Sequence, residues 1–407
     1  MTSGEDAKKR LLPELTGLRH ELHAIPELGL ELPATQGLIL DALSGLDLEV
    51  RTGTRCSSIT AVLHGSGTTH GERPVTLLRA DMDGLPIEER AEVDYRSRHR
   101  GRMHACGHDL HMAMLVGAAK TLCSRREEVK GDVIFAFQPG EEEGGGAEVM
   151  LSEGLLQVAG RRPDVAWALH VLSGTVPRGQ VLSRQGPLMA ASNQLHVTVR
   201  GMGGHGSAPH RAKDPVPVAA AMVGGLQTIM TRTVSAFAPA VLTVGRFNAG
   251  NAAYIIPESA SFAATIRCFD SEVLDGLEHD VVRFCRGVAD SHGLDADVRF
   301  ERHYPVTVNA GGAVTVAEEV VGTVLGQRRW EWMPDPTMLA EDFSRILERV
   351  PGAMLLLGAS TGGEAWQTSA DNHSPYATFS DEVLADGAAL HAALAVRSLS
   401  DMVSSRA

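Results

Sequence analysis

Cysteine is scarce in this sequence, and long apolar runs are missing altogether. The five cysteines are odd in number and widely scattered, which argues against a disulfide scaffold and favours a reducing cytoplasm. No stretch approaches the roughly 18 apolar residues of a transmembrane helix, so we expect no membrane span. The polar opening, MTSGEDAKKR, has no apolar segment behind it, and we therefore expect no signal peptide.

Positive charge is also in the minority. Lys and Arg number 37 against 50 Asp and Glu, which gives a net charge of −13. The basic residues never form a run of five, so the sequence lacks the basic footprint that binds nucleic acids or anionic membranes. We therefore expect neither nucleic acid nor membrane among the partners of this protein.

The residues that are present describe an ordinary globular protein. At 407 residues the chain exceeds the usual size of one domain, so two domains are expected. Hydrophobic residues make up 43% and charged residues 21% of the chain, a composition that excludes general disorder.

Two kinds of apolar pattern divide the chain. Short, nearly continuous runs at 75–78, 133–137, 165–169 and 354–357 predict strands buried on both faces, as in a parallel sheet covered by helices. Leucines at helical spacing predict a first helix that ends before Pro26. A second such series follows Asp109, which is placed to cap the start of a helix.

Between about 190 and 305 the apolar residues alternate with polar ones, which predicts half-exposed antiparallel strands. The predicted order is strand 193–200, helix 215–230, strand 240–247, strand 259–268, helix 271–292 and strand 296–305. This is the β-α-β-β-α-β order of a ferredoxin-like module. The fold class is therefore α/β, with a mainly parallel-sheet domain at 1–189 and 306–407 and an inserted α+β domain at 190–305.

Polar side chains follow three of the buried runs. Asp81 and Asp83 follow the first, the glutamates at 141–143 follow the second, and His170 follows the third. Ligands of open parallel sheets bind beyond the carboxyl ends of the strands. One such loop alone is more often a solvated loop, but three together favour a functional crevice.

The segment MHACGHDLH is the densest in metal-binding residue types. Cys106 and His108 flank Gly107, so a thiolate and an imidazole can face the same ion from one turn. A structural zinc knuckle is an alternative, although it would need a second cysteine pair, and a Cys–His protease dyad is another. The glutamates at 141–143 favour hard-ligand metals, because one can bind metal while its neighbour acts as a base.

Seven segments, taken in order, resemble those of a known enzyme family. They are LRADMDGLPI, MHACGHDLHMAMLVGAA, FQPGEEEGGGA, ALHV, GMGGHGSAPH, LAEDFSRILERVPG and NHSPY. From about His20 to Leu394 the chain resembles the amidohydrolase branch of the aminoacylase/carboxypeptidase metallopeptidases, which includes hippurate hydrolases, N-acyl-amino-acid deacylases and auxin-conjugate hydrolases. The resemblance implies a catalytic domain with two metal ions and an inserted lid domain through which subunits dimerise, as a homodimer or a larger dimer-based oligomer.

The resemblance also implies roles for individual residues. The five metal ligands would be Cys106, His108, Glu142, His170 and His373. Glu141 would be the general base, and the acids that orient ligands would be Asp83, Asp109 and Asp342. His205 would reach a neighbouring subunit's active site to stabilise the oxyanion. Asn251 and Arg267 would hold the substrate carboxylate, although an Arg on an alternating strand can equally be a surface residue in an ion pair.

The implied activity is hydrolysis of the amide bond of an N-acyl amino acid, or a related small N-acyl conjugate, by a metal-activated water in the cytoplasm. The two divalent ions could be Zn²⁺, Mn²⁺, Co²⁺ or Ni²⁺, since mixed Cys, His and carboxylate ligation does not choose among them. A dipeptidase or a specialised-metabolite deacylase is the alternative within enzymes. A metal-binding protein without turnover is the alternative outside them, and the intact Glu141 argues against it.

Overall fold

The computed structural model describes residues 4–69 and 71–406. Within these ranges the α-helices are α1 (Gly4–His23), α2 (Pro33–Leu43), α3 (His108–Ser124), α4 (Gly146–Ser152), α5 (Pro215–Arg232), α6 (Ser271–Ser291), α7 (Gly311–Val324), α8 (Ser344–Leu347) and α9 (Leu384–Arg406). The strands are β1 (Glu49–Thr52), β2 (Ile59–His64), β3 (Val75–Asp81), β4 (Asp132–Gln138), β5 (Val165–Leu172), β6 (Val181–Ser183), β7 (Gly186–Met189), β8 (Ala191–Arg200), β9 (Gly204–His205), β10 (Ala240–Ala249), β11 (Ile255–Ile256), β12 (Ser259–Cys268), β13 (Asp295–Tyr304), β14 (Thr307–Asn309), β15 (Trp330–Trp332) and β16 (Gly352–Gly358). No helix of the described chain has the length and apolarity that crossing a membrane requires.

The chain divides into two units. The first comprises Met1–Leu188, Val308–Asp335 and Arg345–Ala407, and the second comprises Met189–Thr307 and Pro336–Ser344. The chain returns to the second unit at Pro336–Ser344. The sequence does not predict this return, because so short a segment carries no periodic pattern.

An eight-stranded sheet forms the centre of the first unit. Its strand order is β1-β2-β4-β3-β5-β16-β6-β15. Four central strands pair in parallel: β4 with β3, β3 with β5, and β5 with β16. All four are buried along their whole length. These are the four strands that the continuous apolar runs predict, and the mainly parallel sheet is confirmed. The strands β1 and β2 run antiparallel at one edge.

Parallel register brings three polar strand ends to one edge of this sheet. Asp81, the last residue of β3, pairs with Gln138, the last residue of β4. On the other side of β3, the strand β5 runs parallel to it and carries His170 near its own carboxyl end. The loops that follow β3, β4 and β5 therefore start at the same edge, as the sequence predicts.

Helix α3 lies against this sheet and packs against α1 and α9. Its side chains are buried from His108 through Ala119, so it is a core helix rather than a half-exposed one. The prediction that Asp109 caps α3 is wrong. The N-cap residue is Gly107, which adopts the left-handed conformation with φ +83° and has no side chain to cap with, while Asp109 lies inside the first turn.

The second unit has the predicted β-α-β-β-α-β order. Its four long strands form an antiparallel sheet in the order β10-β12-β8-β13. The inward-facing residues of β8 and β12 alternate along each strand and pack with the apolar stripes of α5 and α6. The carboxylate of Asp270 accepts the N–H groups of Glu272 and Val273 and so caps α6. The ferredoxin-like arrangement follows from these alternating patterns.

Gly107→Ala is expected to destabilise the protein by about 2–5 kcal/mol. An alanine at this position would have to adopt the left-handed backbone conformation, at a cost of about 1–2 kcal/mol. Its methyl group would also overlap Val171 Cγ2 on β5. Gly45→Ala is the matched control, because Gly45 has φ +77° and no atom near the added Cβ. Urea denaturation measures both, and an equal loss for the two variants would contradict the close approach of α3 to β5.

Candidate metal centre

The five predicted metal ligands come together in the first unit. Cys106 and His108 lie at the start of α3, Glu142 lies in the loop after β4, His170 is on β5, and His373 lies in the loop before α9. Two groups of three have all their ligand atoms within 4.8 Å of one another: Cys106 with His108 and His170, and Cys106 with Glu142 and His373. The thiol of Cys106 belongs to both groups.

The distances within the two groups are short. Cys106 Sγ lies 3.4 Å from His170 Nε2, and Glu142 Oε1 lies 3.1 Å from His373 Nε2. His108 Nε2 lies 3.9 Å from the same Glu142 oxygen, so the two groups adjoin. The donors beside Cys106 are imidazoles and a carboxylate, and none of the other four cysteines of the described chain shares a group with it. The arrangement therefore differs from a zinc knuckle, which takes its thiolates from a cysteine pair.

His373 has an unusual backbone conformation. It is the one non-glycine residue of the described ranges with positive φ, at +66°, and its N–H donates to the Ala105 carbonyl at 2.9 Å. Strain of this kind persists only where the surroundings over-determine it, and it concentrates at functional sites.

Asn372 is a residue whose role the sequence reasoning missed. Its amide nitrogen donates to the carbonyls of Cys106 and Val171, at 3.2 and 3.0 Å, and its amide oxygen accepts the Ser173 N–H at 2.9 Å. The side chain thereby ties the loop of His373 to α3 and β5. Its position next to His373 in the NHSPY segment is the only signal that could have found it.

The electrostatics of the centre favour a cation. Hydrogen bonds to Cys106 and Glu142 raise the pKa of His373 to about 10. Burial lowers the pKa of His108, but Asp81, Asp83 and Cys106 outweigh burial and raise it well above its usual value. Both ring nitrogens of His108 are buried and lack a hydrogen-bond partner among the described residues. An imidazole nitrogen without a hydrogen-bond partner can bind a divalent cation, and the acidic groups around His108 favour the positive charge of that cation. The donor set therefore fits metal ions.

Asp83 organises the two neighbouring glutamates. One of its carboxylate oxygens accepts the N–H of Glu141 and the other accepts the N–H of Glu142, each at 3.0 Å. The Glu141 side chain is buried, and its carboxylate falls within the group formed with His108 and Glu142. Asp83 thus holds the backbone of both glutamates at the centre, and its orienting role stays a prediction.

The hydrogen bonds of the Asp109 carboxylate lead to α1. The carboxylate accepts hydrogen bonds from Arg19 Nε at 2.7 Å and interacts with His23 Nδ1 at 2.8 Å, both on α1. Burial would raise the pKa of Asp109, but Arg19 and His23 outweigh burial and lower it. Asp109 thus joins α3, which begins with His108, to α1, and its predicted orienting role stays a prediction.

The remaining predicted residues lie in the second unit. His205 is exposed on β9, where its Nδ1 accepts the Ser207 N–H at 3.1 Å. Arg267 is on β12, Asn251 is exposed after β10, and Asp342 is buried in the segment Pro336–Ser344. The roles of these four residues stay predictions.

Arg267 has an unusual environment within the second unit. Its Nη1 is buried and has no hydrogen-bond partner in the part of the chain that the structure describes. Burial lowers its pKa, with no carboxylate beside it to offset that effect. Arg267 is therefore not the surface residue in an ion pair that was its alternative interpretation.

The chain is similar in sequence and in structure to known proteins. The model of peptidase family M20/M25/M40 matches residues 77–397. Thermostable carboxypeptidase 2 of Saccharolobus solfataricus is 34% identical over 93% of this chain and 94% of its own length, and hippurate hydrolase of Campylobacter jejuni is 33% identical over 96% and 99%. The crystal structure of a dinuclear metal-binding peptidase of family M20 from Bacillus subtilis superposes with a TM-score of 0.81 at 28% identity, covering 96% of this chain and 99% of that one. The family expected from the seven sequence segments is confirmed, and the chain belongs to peptidase family M20/M25/M40.

Proposed function

We propose that the protein is a metal-dependent amidohydrolase that hydrolyses the amide bond of N-acyl amino acids or related small N-acyl conjugates. The observation that carries the proposal is the pair of donor groups that share Cys106, with the buried carboxylate of Glu141 beside them. Relatives named hippurate hydrolase and N-acetyl-L-cysteine deacetylase, both 33% identical, support this substrate class.

Two divalent ions fit the donor set. Cys106, His108 and His170 would hold one ion, and Cys106, Glu142 and His373 would hold the other. Bound ions of this kind polarise a carbonyl oxygen and lower the pKa of water. The donors do not choose among Zn²⁺, Mn²⁺, Co²⁺ and Ni²⁺.

Glu141 is the proposed general base. It would take a proton from the attacking water and deliver that proton to the nitrogen of the leaving amine. Its burial supports this role, since the charge of a buried carboxylate is poorly screened by solvent. The N–H groups of Glu141 and Glu142 donate to the two oxygens of Asp83, which fixes the backbone from which both side chains project.

His205 is the proposed oxyanion donor. Because its Nδ1 accepts the Ser207 N–H, the neutral ring carries its proton on Nε2, where it can donate to a developing negative charge. We place this donor in the active site of a partner subunit, in a homodimer formed through the second unit. The edge position of β10 supports this pairing, and so do its exposed residues Val241 and Phe247.

Arg267 and Asn251 are the proposed substrate-carboxylate residues. The unpartnered guanidinium nitrogen of Arg267 supports this assignment, because an anionic substrate would supply the missing acceptor. A dipeptide also carries a free carboxylate, and the relative named thermostable carboxypeptidase 2 supports peptides as the second candidate substrate.

The five free cysteines agree with the proposed cytoplasmic location.

Removal of metal by a chelator is expected to abolish hydrolysis of a panel of N-acyl amino acids, and divalent metal should restore it. Cys106→Ser should weaken metal binding, because a hydroxyl is a much poorer anionic ligand than a thiolate. Cys123→Ser on α3 is the control, since burial raises the pKa of that thiol to about 11 and it belongs to neither donor group. Full activity in metal-free protein would refute the two-metal function, and activity that survives metal removal but requires Cys106 would favour a Cys–His protease. Dipeptides in the same panel separate the two substrate classes.

Glu141→Gln and Glu142→Gln are expected to separate base from ligand. The first should leave metal content near normal and lower kcat by at least ~10², because the amide accepts no proton. The second should reduce the occupancy of one metal ion. Elemental analysis beside steady-state kinetics measures both effects, and the reverse pattern would exchange the two roles.

His205→Ala is expected to lower kcat by ~10²–10³ with metal content unchanged, as for the loss of one oxyanion donor. Mixing this variant with Glu141→Gln tests the partner-subunit placement. A heterodimer would contain one site with both residues intact, so activity should partly return after subunit exchange. Heterodimers that are verified to form but stay inactive would show that His205 does not act across subunits.

A further inference from the structure

A buried chain of hydrogen bonds lies beside the donor groups of the first unit. Arg79 donates from Nε to Gln138 Oε1 at 3.0 Å and from Nη1 to Asp81 Oδ2 at 2.7 Å. The other oxygen of Asp81 lies 2.5 Å from His111 Nδ1, and His111 Nε2 accepts the Val171 N–H at 2.8 Å. We call these five residues the Arg79–His111 chain.

The backbone determines the tautomer of His111. A backbone N–H can only donate, so the Val171 N–H requires that His111 Nε2 carry no proton. The neutral ring must then carry its proton on Nδ1, where it donates to Asp81. Burial lowers the pKa of His111, which agrees with a neutral ring. Every hydrogen bond of the chain therefore has a defined direction.

The chain connects the elements that carry the proposed metal ligands. Val171 follows His170 on β5, and Gln138 ends β4 ahead of the glutamate loop. His111 lies one turn after His108 on α3, and Asp81 Oδ2 lies 3.6 Å from His108 Nε2. One continuous set of hydrogen bonds thus links β3, β4, β5 and α3 at the edge from which the ligands project.

Asp81, His108 and His111 lie close together but do not form a third ion site. Asp81, His108 and His111 have ligand atoms within 4.8 Å of one another, as a metal site would. Both nitrogens of His111 already have partners, however, and the two oxygens of Asp81 hold Arg79 and His111. No ligand lone pair of His111 is left for an ion, so the cluster is a support rather than a site.

We propose that His111 is a positioning residue that holds His170 in register for metal binding through the Val171 N–H, with Asp81 and Arg79 holding His111 in turn. The inference rests on the proposed two-metal function. Partners that orient ligands from behind typically change metal affinity by about 10–100-fold when they are removed. His111 is suited to this role because it is 1% exposed and has no freedom to rotate without breaking both bonds.

Two variants of His111 separate its two hydrogen bonds. His111→Asn places an amide N–H near the position of Nδ1 and can still donate to Asp81, but it leaves the Val171 N–H without an acceptor. His111→Gln reaches the position of Nε2 and can accept the Val171 N–H, but it loses the bond to Asp81. His391→Asn on α9 is the control, because His391 is equally buried and belongs to no donor group.

The measurement is Co²⁺ binding to the metal-free protein, followed for every variant by equilibrium dialysis with elemental analysis. His111→Asn is expected to weaken cobalt binding by about 10–100-fold, while His111→Gln and His391→Asn stay within a few-fold of the parent protein. Equal affinity of His111→Asn and the parent, or equal losses for the Asn and Gln variants, would overturn the role assigned to the Val171 bond.

A second measurement needs no variant that might fail to fold. The ¹⁵N spectrum of metal-free, histidine-labelled protein should show the His111 proton on Nδ1, and a proton on Nε2 would overturn the proposed chain. Failure of the metal function itself is recognised separately. In that case Cys106→Ser would bind cobalt as the parent does, whereas a failed positioning role leaves Cys106→Ser impaired and His111→Asn normal.

Discussion

Buried charge at the carboxyl ends of β3, β4 and β5 and in the first turn of α3 must be compensated, and the first unit meets this requirement with buried arginines. Removing a carboxylate from water costs several kcal/mol unless a cation or several donors replace the water. Asp81 is fully buried and lies against Arg79, and Asp109 is fully buried and lies against Arg19. Both arginines are themselves buried, so each pair is a closed ionic contact within the core.

The donor groups are what remains after these pairs have formed. Among the described residues, Cys106, Glu142 and the imidazoles around them form no ion pair with an arginine or a lysine. The raised pKa values of His108 and His373 agree with an excess of negative charge around them. The acids of the core thus fall into two classes. Some are neutralised by the protein's own cations, and the others are left for the ions that the proposed activity needs.

The two units suit different parts of the proposed reaction. In the first unit His108 and His170 lie on a buried helix and a buried strand, and hydrogen bonds from Asp83 and Asn372 hold the loops that carry Glu142 and His373. In the second unit His205 and Asn251 are exposed, His205 on the two-residue strand β9 and Asn251 in the loop after β10, where a residue can meet a substrate or a second chain. A rigid centre and an accessible recognition surface are the usual division in enzymes whose substrates vary while the chemistry is retained.

Much of the molecule could be predicted from local pattern alone. Continuous apolar runs identify β3, β4, β5 and β16, alternation identifies the antiparallel strands of the second unit, and polar residues after buried strands indicate where the centre lies. These predictions succeed because periodicity and burial are properties of neighbouring residues. The cap of α3 was predicted wrongly for a related reason. An Asp before an apolar run is a good local signal, but Arg19 and His23 compete for the same carboxylate from 90 and 86 residues away.

The sequence by itself determined the two kinds of sheet, the family and the set of residue types at the centre. Only the tertiary structure decided which of those side chains meet. The sharing of Cys106 between two donor groups, the amide of Asn372 that spans two backbones and the tautomer of His111 all depend on strand register and on the close approach of α3 at Gly107. His111 and the Val171 N–H are 60 residues apart in the chain, and no local pattern encodes the direction of a hydrogen bond between them.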